Sequence, residues 1–371
     1  MSNTINNGTL MQASRQWATR PDDERFTSLT DMHAACVASR EASTARVLST
    51  RALTAMPLED DTEGKSLVVV GPGGSPVAPT NWAFGQLAQR AGAPASYLRD
   101  LPAPLAADCI NYGLKYSRDL SEVGVLLHKN GGAPELRAVT GPNYGRIWNA
   151  DFTGALVRRF GDGVSGDWRV PGEFGKAVEV TKANTTLYAS DRDMFVFLAD
   201  EKNRIEVPNR RDGKSGGMAR GFFVWNSEVG KMSYGFAMFL FDYVCCNRIV
   251  WGAQEYAEIR GRHTSSAPDR WLEEIVPAIK AYSNASEAPI VRAIEAAQSK
   301  KIDDVATFLN NRFTKSQAAA MQSVHLAEEG RPIESLWDAS TAVTAYAREL
   351  PHQDARVLLE REAGRILDMA A

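Results

Sequence analysis

The chain has 371 residues, of which 44% are hydrophobic and 23% are charged, and its formal net charge is −3. This composition is typical of a soluble globular protein with a sizeable core, and the length allows two or three domains. The near balance of charge excludes a global field that would draw the chain to nucleic acid or to an anionic membrane, so binding to either needs a local patch. The sequence has no apolar run long enough to predict a transmembrane helix, and we therefore expect no membrane partner.

The segment 1–12 is polar and lacks the apolar core of a signal peptide, which predicts a cytoplasmic protein. The cysteines are Cys36, Cys109, Cys245 and Cys246, and none has metal-ligand spacing. We interpret them as buried free thiols in a reducing compartment. The histidines are scattered and no nucleotide-binding glycine motif is complete, so we expect no metal and no other cofactor, and we assign no catalytic residue.

The N-terminal segment, residues 1–60, is polar and rich in Ala, Thr and Ser, and we predict that it is helical. One helix is expected to begin near Ser28, because Ser28–Asp31 resembles a capping box with Asp in place of Glu. The elements predicted next are a buried strand at Leu67–Val70, a helix from Thr80 or Asn81 to Gly92, and a helix from Pro104 to Tyr116.

Residues 61–265 are predicted to form a central α+β domain with a largely antiparallel sheet. Met194–Leu198 is expected to pair with Gly221–Trp225 across a basic loop. Phe236–Trp251 is ambiguous by period, because it fits one long strand or a helix followed by a strand. The other predicted strands are Val123–Leu127, Glu135–Val139, Ala177–Val180 and Glu255–Arg262, with a hairpin turn at Asn130-Gly131.

Residues 266–371 are predicted to form a C-terminal helical region, since Ala, Leu, Glu and Arg recur there at helical spacing. The predicted helices are 269–300, 302–313, 315–329, 333–350 and 353–369. The fold expected for the whole chain is α+β, with N-terminal helices, a central and largely antiparallel sheet, and a C-terminal helical region.

Several segments together resemble one known family. They are Arg20–Phe26, Ala83–Leu87, Ala93–Arg99, Tyr144–Ile147, Asn226–Gly230, Cys246-Asn247 and Leu336–Thr344. The pattern resembles the phage/plasmid-like proteins that carry the domain of unknown function 932, over roughly residues 20–360. The resemblance implies a mobile-element context, but it transfers no catalytic residue because the family has no assigned activity. The chain departs from the family pattern at Arg248, where a Gly is expected after Asn247.

A basic loop leads into a densely aromatic stretch, Arg220–Gly252, and this is the most informative feature of the sequence. Cations beside exposed rings are typical of a surface that holds a single strand, with the phosphates on the cations and the bases on the rings. The alternatives are a solvated hairpin loop and a surface for an anionic protein. Trp251 and Tyr256 are alternative rings for the same role. The candidate nucleic-acid-binding residues are Lys202, Arg204, Arg210, Arg211, Lys214, Arg220, Phe222, Trp225, Arg260 and Arg262.

Asn226, Ser227 and Glu228 form a polar cluster inside this apolar stretch. One interpretation is a turn or bulge, because Asn and Ser often bond to their own backbone. The other is a ligand-facing cluster in which Glu228 binds a cation or stabilises a neighbouring Arg, because an interior Glu must be paired or hydrogen-bonded.

The leading hypothesis is a mobile-element protein that binds single-stranded nucleic acid, in recombination or strand annealing, without a cofactor. It allows a homo-oligomer. The alternative is an interaction factor for a host or phage protein, such as an inhibitor of host defence or a regulatory adaptor, docking through an uncovered apolar stripe of the C-terminal helices. A third hypothesis is an enzyme whose site includes Asn226 and Glu228.

Overall fold

The computed structural model describes residues 21–58, 64, 66–116, 121–129, 132, 134–170, 179–183, 185–200, 202–207, 216–242, 247–249, 258–350 and 353–370. The helices in these ranges are α1 (Leu29–Glu41), α2 (Asn81–Arg90), α3 (Ala95–Asp100), α4 (Ala103–Tyr116), α5 (Asn149–Phe160), α6 (Ala267–Ser283), α7 (Ala288–Ser299), α8 (Val305–Asn310), α9 (Lys315–Glu329), α10 (Leu336–Glu349) and α11 (Gln353–Asp368). None of these helices has the length and apolar character that a bilayer crossing requires.

The strands in the same ranges are β1 (Ser43–Ser49), β2 (Thr54–Pro57), β3 (Leu67–Val70), β4 (Ala78–Pro79), β5 (Glu122–His128), β6 (Glu135–Thr140), β7 (Trp168–Arg169), β8 (Leu187–Ala189), β9 (Met194–Asp200), β10 (Ile205–Val207), β11 (Gly216–Asn226), β12 (Tyr234–Asp242), β13 (Asn247–Ile249) and β14 (Glu258–Gly261). The predicted α+β class is confirmed.

Two sheets carry the central part of the described chain. The smaller has the strand order β1-β5-β6-β4, and all its pairs are antiparallel except β4 with β6. The larger has the path β13-β12-β11-β9-β7, with β10 beside β11, β14 beside β12 and β8 beside β9. Strand β11 is the long central strand of the larger sheet, because β9 and β12 pair along much of its length.

Several local predictions are confirmed. The side chain of Ser28 accepts the N–H of Asp31 and caps α1, and Thr80 caps α2 by accepting the N–H of Ala83. Strands β9 and β11 pair as expected, with Trp225 opposite Phe195. These features depend on neighbouring residues or on strong apolar pairing, which sequence patterns record well.

The sequence patterns of three other segments gave wrong element assignments. Phe236–Trp251 is neither one long strand nor a helix followed by a strand, because β12 ends at Asp242 and β13 returns antiparallel beside it. The predicted helix 269–300 is two helices, α6 and α7. Strands β1 and β2 were missed in the polar N-terminal segment, and they pair with β5 and β3 across the boundary predicted near residue 60. The turn at Asn130-Gly131 and the first two residues of the strand predicted at 177–180 lie outside the described residues, and residues 179–180 are not in a strand.

The C-terminal helices pack their apolar faces into a core shared with the larger sheet. Ile205, Met218 and Leu240 from the sheet contact this helical core, in which Trp337 is buried. Leu326 is one of the few large apolar side chains exposed in this region. The sheet and the neighbouring helices cover most of the described apolar side chains of these helices, and the docking stripe predicted there stays a prediction.

Candidate functional site

The segment Asn226–Gly230 leaves β11 and leads towards β12, and its polar side chains are buried. Asn226, Ser227 and Glu228 are 0%, 0% and 2% exposed. The Asn226 amide donates from Nδ2 to the carbonyl of Ile147 and to Oδ1 of Asn149, each at 2.8 Å. The polar cluster is therefore held by distant parts of the chain as well as by local turns.

The Glu228 carboxylate interacts with a charged side chain and with the N-terminus of a helix at the same time. Its Oε2 lies 3.3 Å from Nη2 of Arg137, and both side chains are 3% exposed. Its Oε1 accepts the N–H of Asn149 at 2.8 Å. Because Asn149 is the first residue of α5, the carboxylate caps the positive end of that helix, where negative charge is favoured. The Arg-stabilising role considered for Glu228 matches this geometry.

Side chains from elsewhere in the fold fix the main-chain carbonyls of this segment. Tyr144 donates its hydroxyl to the carbonyl of Ser227 at 2.6 Å, and Arg146 donates from Nε to that of Glu228 at 2.9 Å. The indole of Trp82 and the amide of Gln86 both donate to the carbonyl of Val229, at 3.0 and 2.7 Å. These donors hold the backbone of the segment in place, although Nη2 of Arg146 and Oδ1 of Asn226 have no hydrogen-bond partner among the described residues.

A cavity of about 580 Å³ lies on the Glu228 side of this segment, and we call it the acidic cavity. Its buried lining includes Arg137, Asn149 and Cys36. The carboxylate residues that line it are Asp23, Glu24, Glu135, Asp191 and Glu228. Burial raises the pKa of Cys36 to about 12, so the thiol stays protonated at neutral pH and is not an activated nucleophile.

Two further pockets, of about 450 and 520 Å³, share Gly230, and we call them together the basic surface. One lies along α2 and the other beside β14. Both are lined by arginine, and no Asp or Glu is among the described residues that line either pocket. The arginines are Arg99, Arg192, Arg260 and Arg262, and all four are exposed.

Each pocket of the basic surface also has a half-buried ring. Trp82 lines the first pocket. In the second, His263 stacks on Tyr144 with a centroid distance of 4.8 Å. Burial, together with Arg146, lowers the pKa of His263 to about 4, although a hydrogen bond to Gly145 opposes the shift. The His263 ring is therefore neutral at pH 7, and the positive charge of the surface comes from arginine.

The prediction that Phe222 and Trp225 stack on nucleic-acid bases is wrong. Phe222 is 0% exposed and Trp225 is 1% exposed, so neither ring can hold a base. Arg220 is also buried, at 4% exposure, and it interacts electrostatically with Tyr282. These side chains fill the faces of β11, where β-prone aromatics pack between covering elements.

The predicted cations that the structure describes do not converge. Lys202 and Arg204 lie near the start of β11, where Glu206 pairs with Gly217. Arg260 lies at the other end, opposite Gly235. Since Gly235 pairs with Trp225, eight residues beyond Gly217, about 27 Å of strand separates the two groups. Lys202 is instead paired with Asp167 at 3.1 Å. The predicted residues Arg210, Arg211 and Lys214, with Trp251 and Tyr256, lie outside the described residues.

Sequence reasoning missed the residues that complete the site. Arg99, Arg192 and Gly230 line the basic surface, and none was singled out as a site residue. Arg137 offered a usable signal, because it is a charge between the apolar residues Leu136 and Ala138 inside the strand Glu135–Thr140. A charge at such a position predicts a buried partner.

No family model, no curated protein and no solved structure matches this chain. The resemblance to the phage/plasmid-like family therefore stays a prediction. In the described ranges, no group of three His, Cys, Asp or Glu side chains is placed to hold a metal ion.

Proposed function

We propose that the chain binds single-stranded nucleic acid through the basic surface. The observation that carries the proposal is the pair of adjoining pockets with four exposed arginines, of which Arg192 also pairs with Asp191, and with no carboxylate among the described lining residues. Such a surface favours a polyanion even on a protein of net charge −3, because exposed charges act locally at physiological salt. The centre of binding is then the basic surface and not the basic loop, and the ligand is still a single-stranded nucleic acid.

A single strand is favoured over a duplex because its bases are free to reach protein rings. Trp82 in one pocket, and Tyr144 with His263 in the other, lie beside the arginines. Arg260 in β14 and Arg262 directly after it are both exposed and flank the buried Gly261, so they lie on the same side of the chain and face the same partner. Binding needs no cofactor, since the arginines supply the charge. The mobile-element context rests on the family resemblance, and a role in recombination or strand annealing rests on an analogy of fold with strand-annealing proteins.

The test is fluorescence anisotropy with a labelled oligothymidylate at several salt concentrations. If four arginines contact phosphates, the log–log dependence of affinity on salt has a slope of about −3, and Arg260→Ala/Arg262→Ala reduces it to about −1.4. Arg292→Ala/Lys315→Ala removes the same charge from exposed positions on α7 and α9 and serves as the matched control. Salt-insensitive binding, or equal effects of the two double variants, would remove the proposal.

A second candidate function, protein binding, is favoured by an uncovered face of α4. Leu105, Tyr112 and Tyr116 are 54%, 69% and 58% exposed, and the two tyrosine rings are 4.8 Å apart. Exposed apolar patches of this kind mark contact surfaces. If protein binding is the main activity, Tyr112→Ser/Tyr116→Ser abolishes capture of a partner from nuclease-treated lysate, whereas Arg260→Ala/Arg262→Ala does not change it.

A further inference from the structure

The acidic cavity is a second site with a charge opposite to that of the basic surface. Its volume of about 580 Å³ is within the range of small-molecule sites. Glu228 is neutralised by Arg137, and Asp191 pairs with the neighbouring Arg192 at 3.3 Å. Asp23 and Glu135 form no ion pair with any described residue, so the cavity lining that the structure describes keeps negative charge.

A buried donor in the same cavity also lacks a partner. Arg137 is 3% exposed, and its Nη1 and Nη2 donate to Ser39, Asp191 and Glu228. Its Nε–H has no acceptor among the described residues. An unsatisfied buried donor is costly, and an oxygen atom of a ligand can satisfy it.

These two observations favour a ligand that carries both a cationic group and an oxygen acceptor. The carboxylates of Asp23 and Glu135 attract a cation, and the Nε–H of Arg137 can donate to an oxygen acceptor. Phe26, Ala38 and Ala189 also line the cavity and supply apolar contact for an aliphatic chain. We propose that the acidic cavity binds a small zwitterion of the basic amino acid class, with its amine or guanidinium at Asp23 and Glu135 and its carboxylate towards Arg137.

The experiment is isothermal titration of the full chain with L-arginine at constant ionic strength. Agmatine, which keeps the guanidinium and lacks the carboxylate, tests the acceptor half of the proposal in the unaltered protein. We expect saturable binding of L-arginine and at least about tenfold weaker binding of agmatine. Absence of saturable L-arginine binding at millimolar concentration, or equal binding of the two compounds, would overturn the assignment.

The carboxylate half is tested by Asp23→Asn/Glu135→Gln. Asp23 is exposed and Glu135 is half-buried, so neither change opens a core. Asp108→Asn/Glu273→Gln is the matched control, because it removes the same charge from exposed positions on α4 and α6. We expect the cavity variant to bind L-arginine about tenfold more weakly than the control variant. Equal affinities would contradict the proposal, and oligonucleotide binding, which uses the other surface, is expected to persist in both.

Discussion

The acidic cavity and the basic surface share the boundary segment Asn226–Gly230, yet their charges are opposite. Glu228 lines the cavity, whereas Gly230 contributes no side chain to the basic surface. Exposed charges are screened beyond about 8–10 Å at physiological salt, so each region is recognised by its own local field. The net charge of −3 therefore does not identify the ligand of either region.

The difference in burial between the two regions is as important as the difference in charge. Arg137 is 3% exposed and paired, whereas Arg260 and Arg262 are exposed. A buried ion pair is expensive to break, because the remaining charge loses both water and its partner. An exposed arginine is removed at little cost to folding, so its role is visible in binding. Mutations in the two regions should therefore have different readouts.

The largest expected effect is the loss of stability on Arg137→Met. The change leaves the Glu228 carboxylate buried without its cation, which costs about 3–5 kcal/mol of the free energy of unfolding. Urea denaturation measures the loss. Arg40→Met is the control, since its pair with Asp151 is 44% and 43% exposed, and we expect a loss of about 1 kcal/mol or less.

A double variant checks the cause of that loss. Arg137→Met/Glu228→Gln removes the buried charge and keeps an oxygen acceptor for the N–H of Asn149. We therefore expect it to be more stable than Arg137→Met alone. A double variant as unstable as the single one would show that packing of the Arg137 side chain, and not the ion pair, dominates.

The next largest effect is a change in the salt dependence of nucleic-acid binding, which shows whether one strand occupies both pockets of the basic surface. Arg99→Ala/Arg192→Ala removes two arginines from one pocket, as Arg260→Ala/Arg262→Ala does from the other. If one strand crosses both pockets, each double variant lowers the magnitude of the log–log salt slope by about 1.4. Anisotropy titrations compare them. A slope change for one pair only would restrict nucleic-acid binding to that pocket.

A smaller effect is expected for Gly230→Ala. Gly230 has a φ of +78°, and the nearest atoms to an added Cβ lie 3.5 Å away, so the cost comes from the backbone and not from a clash. We expect a loss of about 1–2 kcal/mol in thermal or urea unfolding. Gly85→Ala in α2, which also lines the basic surface, should be neutral or stabilising because Ala favours helix. Equal destabilisation by both changes would contradict this reason.

The smallest effect is a dependence of stability on pH at His263. Its pKa is about 4 in the folded chain, compared with an ordinary value of 6.5. Between these values the unfolded chain holds the proton more readily, so the contribution of His263 to stability is present at pH 7 and is lost as the pH falls from about 6.5 towards 4.

His263→Phe retains a stacked ring without a titrating group. The free energy of unfolding of this variant should therefore fall less steeply than that of the unaltered chain as the pH decreases over this range. Parallel pH profiles of the two proteins would contradict the assignment. The lost hydrogen bond to Gly145 shifts the whole profile and leaves its slope unchanged.

Local signals in the sequence predicted much of the fold and little of the candidate site. The cap at Ser28 and the pairing of Phe195 with Trp225 follow from neighbouring residues and from apolar pattern. Arg99 and Arg260 belong to one surface only because α3 and β14 both lie near Gly230. The spacing of residues along the chain does not predict that two such distant residues lie close together.

By itself the sequence determined the α+β class, the polar character of Asn226–Glu228 and a stretch of apolar strands around it. Only the tertiary structure decided that Phe222 and Trp225 are core residues, that Glu228 pairs with Arg137, and that the exposed arginines gather around Gly230. The physical reason is range: caps and strand patterns are set by residues a few positions apart, whereas burial and charge pairing depend on which distant strands and helices come together.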